Sequence, residues 1–181
     1  MALDAELALP IVPGTAQQGD YKTLDVPFYP NEQPEWCWAA CGKMMGSLLL
    51  GRLIEQCAFA EAVFPGLNCC QDKSSCNSPL PIDKMDTVFA LIGMTPDYVP
   101  SDVSFAALQT EIEDNNLPVQ VGFNWNDSGG HVAVICGIST QGNDQQVYIN
   151  DPVYGCGWIE FSNLKNAYGL GSWQWTWKLG A

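Results

Sequence analysis

The stretch PEWCWAACGKMMGSLLLGRL, residues 34–53, decides how the rest of the chain is read. Trp38, Cys41, Met45 and Leu48 recur at i, i+3, i+7 and i+10, which places them on one face of a long helix beginning near Glu35. Pro34, just ahead, suits a helix start. The helical period returns over about 53–62, 81–93 and 104–116, with a cysteine-rich loop following the first of these. After Pro118 the pattern flips to short runs rich in Val, Ile, Tyr and Trp: PVQVGFNW, HVAVICGI, QVYIND, GWIEF and SWQWTWKL. Gly and Asn/Asp clusters at 126–130 and 142–145 separate the runs at hairpin distances, so antiparallel pairing is expected. Helices first and strands afterwards give an α+β fold of two packed lobes. Upstream, Pro10, Pro13, Pro27 and Pro30 interrupt a stretch with no helical period, and residues 1 to about 30 read as an extended surface arm.

Composition narrows the function. A chain of 181 residues with 47% apolar and 15% charged residues is a packed single domain, not a disordered one. Its net charge of −13 repels phosphate backbones and anionic headgroups, which argues against nucleic acid and membrane surfaces as partners. The longest apolar run, MMGSLLL at 44–50, is far short of the ~20 residues a bilayer requires. The opening MALDAELALP has no basic n-region, so any export signal is expected to have been removed or never present.

Eight cysteines, at 37, 41, 57, 69, 70, 76, 136 and 156, favour an oxidising compartment and a secreted protein. Cys57, Cys69, Cys70 and Cys76 surround a polar loop, where two disulfides are expected. Adjacent cysteines rarely bond each other, which leaves 57–69 with 70–76, or 57–70 with 69–76, if Cys41 stays outside the set. A structural zinc site is the rival reading of the cluster, but the paired C-x₂-C knuckles it calls for are absent.

The chemistry centres on the single histidine, His131, which follows Asp127-Ser128-Gly129-Gly130 at the start of a strand. Alternation puts His131, Ala133 and Ile135 on one face and Val132, Val134 and Cys136 on the other, so Cys136 is not the thiol it would serve. The next strand ends in Asn150-Asp151-Pro152, and a hairpin would bring a carboxylate or amide back beside the imidazole to orient it. Cys37 falls in the first turn of the long helix, where partial positive charge favours a thiolate nucleophile. A disulfide to Cys41 or a loop cysteine is the alternative fate of Cys37.

The motifs Gln33-Pro-Glu-Trp-Cys37-Trp38-Ala39-Ala40-Cys41, Gly130-His131-Val-Ala-Val and Ile149-Asn150-Asp151-Pro152, in this order, resemble those of papain-like cysteine proteases. The similarity covers about residues 22–162. It is nearest to a compact bacterial branch that includes secreted peptidases, effector proteases of plant pathogens and leader-peptide peptidases. The resemblance implies that the cysteine opens the central helix of one lobe, that the histidine and its Asn/Asp partner come from the sheet lobe, and that substrate lies between. The spacing from Cys37 to His131 is shorter than the ~130–150 residues of plant-papain relatives, so their substrate pockets are not carried over. The family's oxyanion glutamine stands about six positions before the cysteine; here Asn31 stands there and Gln33 stands two nearer, and either amide is a candidate donor.

The expectation is therefore a monomeric thiol endopeptidase acting on protein or peptide, with residues 1–21 as an arm or propeptide remnant and 22–181 as the protease domain. Cys37 attacks, His131 shuttles the proton, Asp151 holds the ring in preference to Asn150, and Gln33 or Asn31 steadies the oxyanion. No metal or organic cofactor is required. The same groups would also serve an acyltransferase or amidase, and the scaffold would serve a non-catalytic binding or toxin module. Trp173, Trp175 and Trp177 alternate and are expected to share one core face, Trp38 is expected in the core, and Trp125 or Trp158 to shield the imidazole from water.

Overall fold

The computed structural model describes residue 11, residues 20–141 and residues 144–180; most of the expected N-terminal arm lies outside the described residues. The arm's end is not all surface coil. Asp20–Thr23 forms strand β1, which pairs antiparallel with the second half of β4. Four residues with little apolar content are too few for a period-2 signal, so pairing here comes from the partner strand.

The long helix α1 runs from Cys37 to Leu50 and ends at Gly51. Helices α2 (Gln56–Val63) and α3 (Met85–Leu91) pack beside it. Gly42 makes that approach possible, since a Cβ there would lie 2.8 Å from the Phe59 ring and 2.9 Å from Val88. After a short strand β2 (Asp97–Val99), helix α4 (Phe105–Gln109) continues into a wider π turn over Thr110–Asp114. The expected strands follow as β3 (Val119–Trp125), β4 (Gly130–Gln141), β5 (Asp144–Asp151), β6 (Gly155–Glu160) and β7 (Gly171–Lys178), with a short helix α5 (Phe161–Lys165) before the last.

All pairings in the seven-stranded sheet are antiparallel, in the order β2-β7-β3-β4-β5-β6 with β1 against β4. Period-2 alternation gives the sheet two apolar faces. Val132, Val134 and Cys136 meet the helical lobe through Trp38, Met44 and Met45, while Ala133, Ile135 and Ile138 join Phe105, Leu108 and Phe161 on the opposite side. The result is the α+β, two-lobe arrangement expected.

The tryptophans of β7 do not share one face. Gly122 opposes Trp175 while Phe123 opposes Trp173, so a bulge at Gln174 interrupts the alternation. Trp173 therefore enters the core on the far side, and Trp175 and Trp177 face the helical lobe. Trp38 is buried as expected.

The cysteine loop closes through Cys57–Cys70 and Cys69–Cys76, the second of the two possible pairings. With all four sulfurs in disulfides, none is left for zinc in this loop. Cys37, Cys41, Cys136 and Cys156 are free thiols.

Candidate active site

Cys37 is the first residue of α1, half-buried, and free. The disulfide loop holds the helix start from outside. The Trp36 indole N–H donates to the Cys76 carbonyl at 2.8 Å, the Trp38 indole N–H to the Ser78 carbonyl at 3.3 Å, and the Glu35 backbone N–H to Asn77 Oδ1 at 2.9 Å. Trp36 is fully buried and its side chain does not cap the helix. The first-turn N–H groups, that of Cys37 among them, therefore have no side-chain acceptor from the cap residue.

Residues 29–34 approach the same point and are fixed by the helical lobe. Gln56, buried, donates to the Pro30 carbonyl at 2.7 Å and accepts from the Glu32 N–H at 2.9 Å. Lys43 pairs with Glu55 at 2.7 Å and Glu32 at 3.5 Å, and Lys73 reaches Glu32 at 2.6 Å. Within this loop the two candidate amides differ. Asn31 Nδ2 donates to the Gln33 carbonyl at 2.7 Å and the Pro34 carbonyl at 3.3 Å, so its hydrogens are engaged by the loop itself. Gln33 is half-buried, and its carbonyl receives the Trp36 N–H at 3.0 Å.

From the sheet side, a tight turn at Ser128-Gly129, both with positive φ (+127° and +88°), returns β3 into β4 and starts the strand at Gly130. Val134 opposes Asn150, so Asp151 falls on the face of Ala133 and His131. His131 Nε2 lies 2.8 Å from Asp151 Oδ1, and a buried carboxylate can only accept, which makes Nε2 the donor. Nδ1 is left free of Asp151, and Cys37, which lines the same cleft, is close enough to help hold the imidazole protonated. Asn150 turns away and donates to the Val26 carbonyl at 3.0 Å. Trp125 stacks on His131 at 5.3 Å between ring centroids, and Tyr154 meets it edge-on at 6.1 Å. Trp158 instead packs against Tyr21 and Tyr148, far from the imidazole in the sheet register.

The electrostatics follow from burial and pairing. Burial alone would push the imidazole down, but the Asp151 charge and hydrogen bond outweigh it, with a further contribution from Cys37, and hold His131 at about 10. Burial raises the Asp151 carboxyl, yet the imidazolium and the N–H groups of Tyr154 and Val153 bring it below its ordinary value of 3.8. Cys41, one turn along α1, is pushed well up by burial and by the nearby Cys37 and Asp151, and it bonds the Val132 carbonyl at 3.5 Å as a thiol. A group raised on folding contributes stability below its unfolded value that fades as pH climbs through its folded value. The His131 contribution is therefore complete below its ordinary 6.5 and lost toward about 10, while that of Asp151 is lost as pH falls below 3.8. Chemical denaturation is expected to show a lower midpoint near about pH 9.5 than near about pH 6, with a smaller decline in His131→Ala.

Cys37 and His131 open onto a cleft of about 330 Å³ between the lobes, whose walls include Trp38, Leu80, Met85, Tyr98 and Trp175. Among the described residues, the structure thus brings Cys37, His131 and Asp151 together and sets the Asn31–Gln33 loop beside the helix start. Sequence reasoning missed Trp36 and Gln56, which fix the two approaches to Cys37. It also missed Tyr168, whose hydroxyl donates to Asp151 Oδ2 at 2.9 Å. The Trp-Cys-Trp order was a visible signal for Trp36; nothing local distinguishes Gln56 or Tyr168.

The fold has solved relatives. The peptidase domain of Streptococcus ComA, described as a bi-functional ABC transporter of a quorum-sensing pathway, superposes with a TM-score of 0.57 at 13% identity, over 83% of this chain and 95% of that one. A double glycine motif protease from an AMS/PCAT transporter, solved with its leader peptide, gives 0.53 at 15% identity over 88% and 95%. Digestive procathepsin L 3 of Tenebrio molitor larval midgut gives 0.55 at 11% identity over 95% and 74%. At these identities the likeness concerns the papain-like fold. No curated protein sequence matches the chain. Residues 20–162 match the family described as papain-like cysteine protease AvrRpt2, a span that takes in β1, the helical lobe and the Cys37, His131 and Asp151 positions, and the chain belongs to that family.

Proposed function

We propose that the protein is a cysteine endopeptidase working through Cys37, His131 and Asp151. The observation that supports this reading is the arrangement at the cleft: the imidazole bonds Asp151 through Nε2, which leaves Nδ1 for a partner, and Cys37 lines the same cleft at the start of α1. The sulfur attacks the peptide carbonyl, and the developing oxyanion is met by the Cys37 backbone N–H and the Gln33 amide. The C–N bond then breaks as the imidazolium protonates the departing amine, leaving a thioester. Water attacks that thioester while the neutral imidazole removes its proton, and the acid product leaves with the thiolate–imidazolium pair restored.

Gln33 is preferred over Asn31 because the Asn31 amide hydrogens already serve the loop's own carbonyls. Gln33→Ala is expected to lower kcat on the order of 100–1,000-fold with little change in labelling of Cys37 by a small alkylating reagent. An equal loss of both would place Gln33 in the support of the loop instead. The two disulfides favour a secreted protein that matures in an oxidising compartment.

The test of function is product identity. Incubation with a complex peptide mixture, followed by mass spectrometry of new termini, is expected to reveal internal cleavages that disappear in the presence of a thiol-protease inhibitor. Incorporation of an added amine in place of new carboxyl termini would make the protein an acyltransferase, and release of ammonia from intact peptides an amidase.

A further inference from the structure

Asp151 is fully buried, and its two oxygens are held unequally. Oδ1 accepts from His131 Nε2 at 2.8 Å and from the Val153 and Tyr154 N–H groups at 2.9 and 3.0 Å. Among the described residues, Oδ2 has one donor, the Tyr168 hydroxyl at 2.9 Å. A carboxylate fixed at one oxygen still rotates about its Cβ–Cγ bond, whereas a donor on the second oxygen fixes the plane and with it the direction in which Oδ1 faces the imidazole.

The backbone that delivers this hydroxyl is itself unusual. Ala167 and Tyr168 both have positive φ, +46° and +63°, in a region where side chains other than glycine are disfavoured. Two consecutive residues of this kind persist only where the surroundings over-determine them. Here they do: Asn166 Oδ1 accepts from the Gly169 N–H at 2.8 Å, the Leu170 N–H bonds the Ala167 carbonyl at 3.0 Å, and the Tyr168 ring packs edge-on against Phe123 at 5.4 Å and Tyr154 at 5.8 Å. Both of those rings also border His131. The turn before β7 is thus built to bring one phenol to the back of the carboxylate.

We propose that Tyr168 is a positioning residue for the His131–Asp151 pair, setting the orientation of the carboxylate and limiting how tightly it holds the imidazolium. This rests on the proposed peptidase reading for its effect on rate, but not for its effect on the imidazole. A carboxylate relieved of one donor carries more uncompensated charge and favours imidazolium more strongly. The general-acid step, which hands the Nδ1 proton to the departing amine, then becomes slower. Among the described residues, the titratable groups around His131 are Asp151 from β5, Cys37 from α1, Tyr154 from the turn after β5 and, through Asp151, Tyr168 and Cys41, while Glu35 and Tyr98 line the same cleft.

The single histidine makes the test direct, because His131 gives one set of imidazole resonances. Titration of ¹⁵N-histidine-labelled protein by NMR is expected to show a higher deprotonation midpoint in Tyr168→Phe than in the wild type. In the same variant kcat on a peptide substrate is expected to fall about 10-fold with KM nearly unchanged. Site-specific 3-fluorotyrosine at 168, a stronger donor of the same shape, is expected to move the midpoint down, and it serves if Tyr168→Phe does not fold. An unchanged midpoint in the variant that folds overturns the proposal whatever happens to rate, and so does a shifted midpoint with unchanged kcat. If the wild type cleaves no peptide, the peptidase reading fails, while the titration still decides the link between Tyr168 and the pair.

Discussion

Cys37→Ala is expected to reduce kcat/KM for peptide cleavage by on the order of 10⁴–10⁶-fold and to abolish covalent labelling by an epoxide thiol inhibitor, with no measurable loss of stability. The size of the effect follows from the mechanism: without the sulfur there is no thioester, and the amide nitrogen has no covalent route to departure. The small cost in stability follows from the site. Cys37 is only half-buried at a helix start, and alanine is the better helix former. Steady-state kinetics and a thermal melt on the same preparation check both halves. Full activity in this variant would mean that another group attacks, yet of the remaining free thiols Cys41 is buried and bonded to the Val132 carbonyl, and Cys136 lies in the core.

Asp151→Ala is expected to damage both activity and stability. It removes the acceptor of four hydrogen bonds and leaves the buried imidazole N–H, two backbone N–H groups and a phenol with nothing to receive them. Breaking a buried charge pair from one side costs about 3–5 kcal/mol, enough to threaten a domain of ordinary stability. Catalysis in the folded fraction is expected to fall on the order of 100–10,000-fold, since the imidazole loses the partner that sets its tautomer. Asp151→Asn separates the two effects. An amide oxygen still accepts from Nε2, so stability and a larger share of activity are expected to be retained, measured by denaturant titration and by turnover. Equal loss in both variants would show that charge at 151 matters more than orientation.

The legible parts of this molecule are those where periodicity is long and local. The apolar face of residues 38–48 reads as a helix because four positions agree, and the strands after Pro118 read as strands because Val, Ile and aromatic residues repeat between turn signals. The relation of His131 to Asp151 was half within reach, since neighbours on a strand face opposite ways and only one of Asn150 and Asp151 can meet the ring. Which one does so depends on a β4–β5 register that shifts between Ile135 and Gly137, and Asn150 turns to Val26. What escaped is what depends on partners distant in sequence. β1 has too few residues to announce itself and exists because β4 is long enough to serve β3 with one half and β1 with the other. The β7 tryptophans read as one face because alternation assumes an unbroken strand, and the bulge beside Gly122 breaks it. The disulfide loop read as a staple for a polar segment; its carbonyls at Cys76 and Ser78 turn out to hold the two tryptophans on either side of Cys37. Tyr168 carries no local mark at all, and only the folded turn puts its hydroxyl behind Asp151.

The central claim is that the sulfur opening α1 and the only imidazole form a reactive couple at the mouth of the interlobe cleft. Treatment of the wild-type protein with an epoxide-type thiol-protease inhibitor, followed by peptide mapping, measures it directly. The account predicts a single adduct on Cys37, formed much faster than reaction with an ordinary thiol and lost in His131→Ala. Labelling at Cys156 instead, or labelling of Cys37 at the rate of an ordinary thiol whether or not His131 is present, would contradict it and leave a papain-like scaffold without the chemistry.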